Sequence, residues 1–174
     1  AAVALAIEEH YLPRSAGDIL PGEMPGIAVG LADRLDTLAG LFAVGNRPTG
    51  AADPWGLRRS ALAVVQILVE EGIALDLRAA LTRSAALLPV EVSTTLVDDV
   101  LEFVERRYEV YLRSRGFAHD AVQAVLSARG NNPYLAYQSL ASLVSWIERQ
   151  DWDLVLDSYA RCVRITRDRD DIPE

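Results

Sequence analysis

The 174-residue chain contains no lysine; all 17 of its basic residues are arginine. Every cation is therefore a planar, permanently charged fork suited to carboxylate or phosphate. Cysteine occurs once, as Cys162, which excludes an internal disulfide and a thiolate metal cluster. No apolar run approaches the roughly 18 residues of a membrane span. The opening residues Ala1 to Ile7 run into Glu8, Glu9 and His10 without a basic leader, so they do not read as a signal peptide. A cytoplasmic protein without a membrane partner is the expectation. Also missing are a Gly-rich phosphate loop, zinc-type spacing and a nucleophile elbow, so no self-contained active site is expected. Hydrophobic residues at 51% and charged residues at 24% exclude disordered, collagenous and disulfide-dense classes. A chain of this length buries about 70% of its unfolded surface, enough for a true core.

The net charge of −8 has the wrong sign for a typical nucleic-acid binder, and no DNA partner is expected. The deficit is even along the chain. Divided at residue 92, it carries 7 arginines against 11 acids and then 10 against 14, which is −4 on each side.

What is present is helical punctuation. Apolar residues recur at spacings of three and four between Gly, Pro and Asn, with no period-two run, which predicts an all-α fold of about eight helices in two consecutive bundles. A first helix is expected over about Ala2 to Tyr11, before Pro13. The second, about Ile27 to Ala43, carries the stripe Ile27, Leu31, Leu35, Leu38 and Phe42. Asp53 as N-cap with Pro54 at the first helical position opens a third, with Leu57, Ala61, Val64 and Leu68 inward until Gly72. A short fourth follows Asp76. Residues 89–95 (PVEVSTT) lack periodicity and are placed as the linker between a domain of residues 1–88 and one of residues 96–174. Beyond it, a helix over Leu96 to Arg115 turns Val97, Val100, Val104, Tyr108 and Tyr111 to a core and closes at Gly116. A shorter one spans Asp120 to Ala128. Asn132 with Pro133 opens another, to Arg149, and Asp151 caps the last, to about Arg167, ahead of a frayed tail from Asp168.

Few residues could carry chemistry. His119 and Asp120 spell an HD doublet, but no second histidine stands at helical spacing, so a capping role is favoured. His10 stands alone at a helix end. Asp33 and Asp36 share one helical face, a pair able to bind metal. Arg58 and Arg59 sit in an opening turn where the helix dipole disfavours cations. The expectation is that Asp33 and Asp36 supply their partners as structural ion pairs. Among the other arginines, Arg106, Arg113 and Arg161 have an acid four residues upstream (Glu102, Glu109 and Asp157), the favourable orientation for a local pair. Arg164 and Arg167 have none and lie off the stripe of Trp152, Val155, Leu156, Tyr159 and Val163, which makes them the better phosphate candidates. Trp146, Trp152, Tyr134 and Tyr137 could stack on bases, although aromatics at helical spacing are more often core. Cys162, on the apolar stripe, is expected to be a buried small hydrophobe.

The run from Leu31 to Glu70 contains Ala32-Asp33-Arg34-Leu35-Asp36-Thr37-Leu38, then Pro48-Thr49-Gly50, then Asp53-Pro54 followed by Leu57-Arg58-Arg59. With His10 to Arg14 and Ala16 to Asp18 upstream, it resembles the end of the HD-like domain of the bacterial glycyl-tRNA synthetase beta subunit. Val97 to Val100, Glu105 to Tyr108 and Arg161 to Ile165 resemble that subunit's DALR-type anticodon-binding domain. The resemblance implies a part of glycine-tRNA ligase, an enzyme that attaches glycine to its tRNA with ATP and Mg. It implies glycine tRNA and the alpha subunit as partners. This part would bind tRNA, with Arg161, Arg164, Arg167, Arg106 and Arg113 as candidate contacts, and would hold neither catalytic residues nor a cofactor. Asp33 matches the last metal-binding Asp of the HD superfamily, whose earlier ligands would precede residue 1, so no metal is expected. Two rivals stand beside this reading: an acidic helical protein-interaction module, and a degenerate HD phosphohydrolase-like domain.

Overall fold

The computed structural model describes residues 2–50 and 52–167. They form eight helices: α1 (Ala2–Glu9), α2 (Met24–Ala43), α3 (Leu57–Glu70), α4 (Leu77–Leu87), α5 (Leu96–Ser114), α6 (His119–Arg129), α7 (Pro133–Ile147) and α8 (Trp152–Thr166). Among the described residues there is no strand, only an isolated bridge between Thr49 and Ala52. The all-α expectation holds.

The expected stripes face inward. Ile27, Leu31, Leu35, Leu38 and Phe42 of α2 are buried, as are Leu57, Ala61, Val64 and Leu68 of α3. Helix α2 begins at Met24, earlier than its apolar stripe, because Pro25 in its first turn has a fixed φ and no amide to leave unpaired.

The start of α3 differs from the expectation. Asp53 and Pro54 lie in a turn before the helix, and the N-cap is Gly56 at φ 66°, a left-handed conformation that glycine reaches without steric cost. Asp53 still serves the helix from outside it, its two carboxylate oxygens accepting the Leu57 and Arg58 amides at 2.8 and 3.0 Å. The capping chemistry was legible; the helix start was not. At α4 and α7 a side chain caps the helix. Asp76 accepts the Ala79 amide at 3.1 Å and Asn132 the Leu135 amide at 3.3 Å. Asp151 holds the N-cap position of α8 without a capping bond, its carboxylate being taken by Arg149 at 2.7 and 2.8 Å.

One apolar core runs from Ile27 to Leu140 and passes from α2, α3 and α4 into α5, α6 and α7. The connector 89–95 crosses the surface, exposed throughout. Helix α5 packs on α2, α3 and α4, and α7 packs on α3. Polar contacts follow the same route. Asp98 and Asp99, in the first turn of α5 where the dipole favours anions, meet Arg78 at 2.8 Å and Arg47 at 2.6 Å. Tyr111 donates to Glu70 at 2.6 Å, and Glu70 also receives Arg115. Inside, the Tyr108 hydroxyl donates to the Pro133 carbonyl at 2.6 Å, fixing the start of α7 on α5. Burial pushes the Tyr108 hydroxyl well above the ordinary phenol range.

The last helix departs from expectation. No residue of α8 is buried, and the stripe read as core is open: Leu156 is 48% exposed, Tyr159 66% and Val163 40%. Cys162 is likewise exposed, not a buried hydrophobe. An amphipathic pattern specifies that a face can be buried, not that a neighbour lies across it. Here α8 forms no close pairing with any of the other helices.

Candidate nucleic-acid interface

Helix α8 presents Arg161, Arg164 and Arg167 at successive spacings of three, all exposed. The i to i+3 spacing sets neighbouring guanidinium groups along one side of the helix. Arg164 donates its Nε to the Ala160 carbonyl at 3.2 Å, a contact that leaves its charge uncompensated. Among the described residues, none of the three has a carboxylate within ion-pair distance; Asp157, expected to neutralise Arg161, does not reach it. The two C-terminal members also sit where the helix dipole favours cations, so the folded helix tolerates the row.

The arginines of α5 divide. Arg106 is clasped by Glu102, the predicted local pair. Arg113 is not clasped, because Glu109 turns toward His119 Nδ1 at 3.4 Å. His119 and Asp120 therefore do not cap α6, whose N-cap is Ala118 without a side-chain bond. His10, at the other end of the chain, sets Nδ1 2.6 Å from the Ile7 carbonyl. Among the aromatic candidates, Tyr137 packs edge-on to Phe117 at 5.9 Å, while Trp146 is 45% exposed with Arg149 stacked 4.4 Å from its ring centre. Tyr134 accepts from Gln138 at 2.7 Å, and Trp152 is half-buried.

The proposed clasp of Arg58 and Arg59 by Asp33 and Asp36 is absent among the described residues, and this corrects the expectation. Both carboxylates are exposed on α2. Arg58 instead donates to the Gly50 and Ala52 carbonyls at 2.6 and 3.2 Å, closing the turn before its own helix. Carbonyls of a tight turn lie within reach of a side chain in the first helical turn. A carboxylate on the far side of the neighbouring helix does not.

The residue that sequence reasoning missed is Arg34, between those two acids. It is 7% exposed, and its two terminal nitrogens donate to four carbonyls: His10 at 2.8 Å, Gly30 at 2.8 Å, Leu12 at 2.9 Å and Pro13 at 3.3 Å. Burial holds its pKa below the usual guanidinium value. A signal was available: Arg34 stands three residues after Leu31 and four before Leu38, on the apolar face. Gly30 belongs to the same device, since a Cβ there would come within 2.9 Å of Arg34 Nη1 and 3.0 Å of the His10 carbonyl oxygen.

The remaining electrostatic feature is on α5. Burial, then the neighbouring Glu102 and Glu109, push the Glu105 carboxyl above its ordinary value of 4.5. A raised folded-state pKa means that ionisation costs more in the folded chain, so Glu105 carries no penalty below pH 4.5 and its full penalty once pH has risen through the raised value. Glu105→Gln is therefore expected to melt slightly above the parent at neutral pH, with the difference closing in acid. Thermal scans at both pH values check this, and an equal gap at both would refute it.

Among the described residues, no three His, Cys, Asp or Glu side chains gather about a possible metal position. No helix of the described residues is long and apolar enough to cross a membrane.

The family described as "Glycyl-tRNA synthetase beta subunit" matches residues 1–127. The glycine-tRNA ligase beta subunit of Syntrophotalea carbinolica is 40% identical over 168 residues, covering 95% of this chain and 24% of that protein. The chloroplastic/mitochondrial glycine-tRNA ligase 2 of Arabidopsis thaliana is 38% identical over 168 residues, 97% of this chain and 16% of its own length. The beta subunit of Actinobacillus succinogenes is 43% identical over 132 residues, 75% of this chain and 19% of its own. The chain thus spans a quarter or less of the relatives it matches. A family match over residues 1–127, joined to relatives 38–43% identical over 75–97% of this chain, places it in the glycyl-tRNA synthetase beta subunit family.

Proposed function

We propose that this chain is a tRNA-binding part of a glycine-tRNA ligase, working with an alpha subunit that performs the ATP- and Mg-dependent attachment of glycine to its tRNA. Helices α2 to α7 form the packed body, to which α8 is joined through residues 148–151. Arg161, Arg164 and Arg167 then hold the phosphates of the anticodon arm, with Arg113 as a further contact. The observation that carries this reading is the run of three exposed guanidinium groups on one short stretch at the end of α8, while Arg14, Arg47, Arg78, Arg106, Arg115 and Arg149 are held by carboxylates. Phosphate contacts position a nucleic acid without reading its sequence. The partly exposed Trp146, close to the start of α8 in sequence, offers a face for an unstacked base.

With an overall charge of −8, binding is expected to be weak and salt-sensitive. A triple variant, Arg161→Gln, Arg164→Gln and Arg167→Gln, tests the assignment. The expected result at low salt is an affinity for glycine tRNA at least tenfold below the parent, with helix content unchanged. Equal affinities would end the assignment.

The acidic interaction-module reading retains one specific observation, the open apolar stripe of Leu156, Tyr159 and Val163. The two roles are compatible, since the stripe and the Arg161 and Arg164 positions lie on different sides of α8.

A further inference from the structure

A second cationic cleft lies far from α8 in sequence, where the loop after α1 meets the start of α3. It encloses about 210 Å³ and is lined by Tyr11, Arg14, Arg34, Trp55, Gly56 and Arg59 among others. Its guanidinium groups are unequally committed. Arg14 is taken by Asp18 at 3.3 Å. Arg34 is met only by carbonyls, which orient its charge but do not cancel it. Arg59 folds back over Gly56 so closely that a Cβ there would stand 2.8 Å from Nη2 and 3.2 Å from Nε. Among the described residues it has no carboxylate or other acceptor within bonding distance, and its own amide, the third of the helix, has no acceptor either. Gly56 answers to its left-handed φ of 66°, and the Arg59 side chain lying over it keeps a guanidinium group without an acceptor among the described residues. Two aromatic faces flank it: Trp55 is 60% exposed and Tyr11 65% exposed.

Uncompensated forks beside exposed aromatic rings suit a phosphate followed by an unstacked base, the usual recognition unit of single-stranded RNA. We propose that this cleft is a second RNA contact, in which Arg59, with the fixed charge of Arg34 behind it, takes a backbone phosphate while Trp55 stacks on the adjoining base. It rests on the tRNA-binding reading and adds a site on the other part of the chain. Together the two sites make the chain grip one RNA at two separated points.

The test compares glycine tRNA binding by the parent, the α8 triple variant, and a double variant, Trp55→Ala with Arg59→Gln. Both substituted side chains are exposed, and circular dichroism and melting should match the parent. The expected result is an affinity about tenfold lower for the double variant, with Trp55→Phe alone close to the parent. Unchanged affinity in the double variant, with loss in the α8 variant, overturns this cleft alone. Failure of the parent to bind tRNA at all overturns the underlying reading with it. Titration with 5′-AMP distinguishes a free mononucleotide: saturable AMP binding that the double variant loses, with tRNA affinity unchanged, would overturn the RNA contact in favour of a nucleotide pocket.

Discussion

Arg34→Met should destabilise the chain by about 3–5 kcal/mol, a large share of the roughly 5–15 kcal/mol that holds a domain folded. Methionine keeps the apolar stem against Leu31 and Leu38 but removes every donor. The carbonyls of His10, Leu12, Pro13 and Gly30 then lose their charged partner together. A hydrogen bond to a charged group contributes about 1.5–3 kcal/mol, and those to the loop carbonyls are replaced in part by water. Gly30 keeps the amide bond of its own helix, so the damage should fall on the carbonyls of His10, Leu12 and Pro13 and should free residues 10–22 from α2. Urea denaturation gives the size, and amide exchange over residues 10–22 gives the place. Arg34→Lys should be intermediate, since one ammonium cannot span four acceptors on two segments. A midpoint and an exchange pattern equal to the parent's would contradict the account of Arg34.

Leu68→Ala should cost about 2–5 kcal/mol, the range for a leucine removed from a filled core. Its side chain is fully buried in α3, which packs on α2, α5 and α7. Because one apolar cluster continues from Ile27 to Leu140, the loss should lower the unfolding midpoint of α2 and α5 equally, in a single transition. Exchange monitored separately on the two helices reads this out. Protection lost in α2 while α5 stays unchanged would show two independently stable bodies.

The inward stripes of α2, α3 and α5 were legible because each repeats an apolar residue at helical spacing and each finds a neighbour. The stripe of α8 is just as regular, and its neighbour is missing, so periodicity alone misplaced Cys162 and Tyr159 inside. Charge was harder to read. Local pairs depend on one helix, and Glu102 with Arg106 was found that way. Glu109 broke the same rule because a histidine from the next helix competed for it. Long-range partners have no sequence spacing at all. Arg47 with Asp99, and Arg58 with the 50–52 turn, are set by how the chain folds back. Arg34 went unassigned for a different reason: the spacing of acids says nothing of a cation set within an apolar stripe, whose position predicts burial.

The salt dependence of glycine tRNA binding tests the α8 assignment most directly. Each phosphate neutralised by an arginine adds roughly 0.7–0.9 to the slope of log affinity against log salt. The parent should therefore exceed the Arg161, Arg164 and Arg167 triple variant by about 2 in that slope. Parallel lines for the two proteins, whatever their absolute affinities, would mean that the α8 guanidinium groups do not meet the RNA backbone.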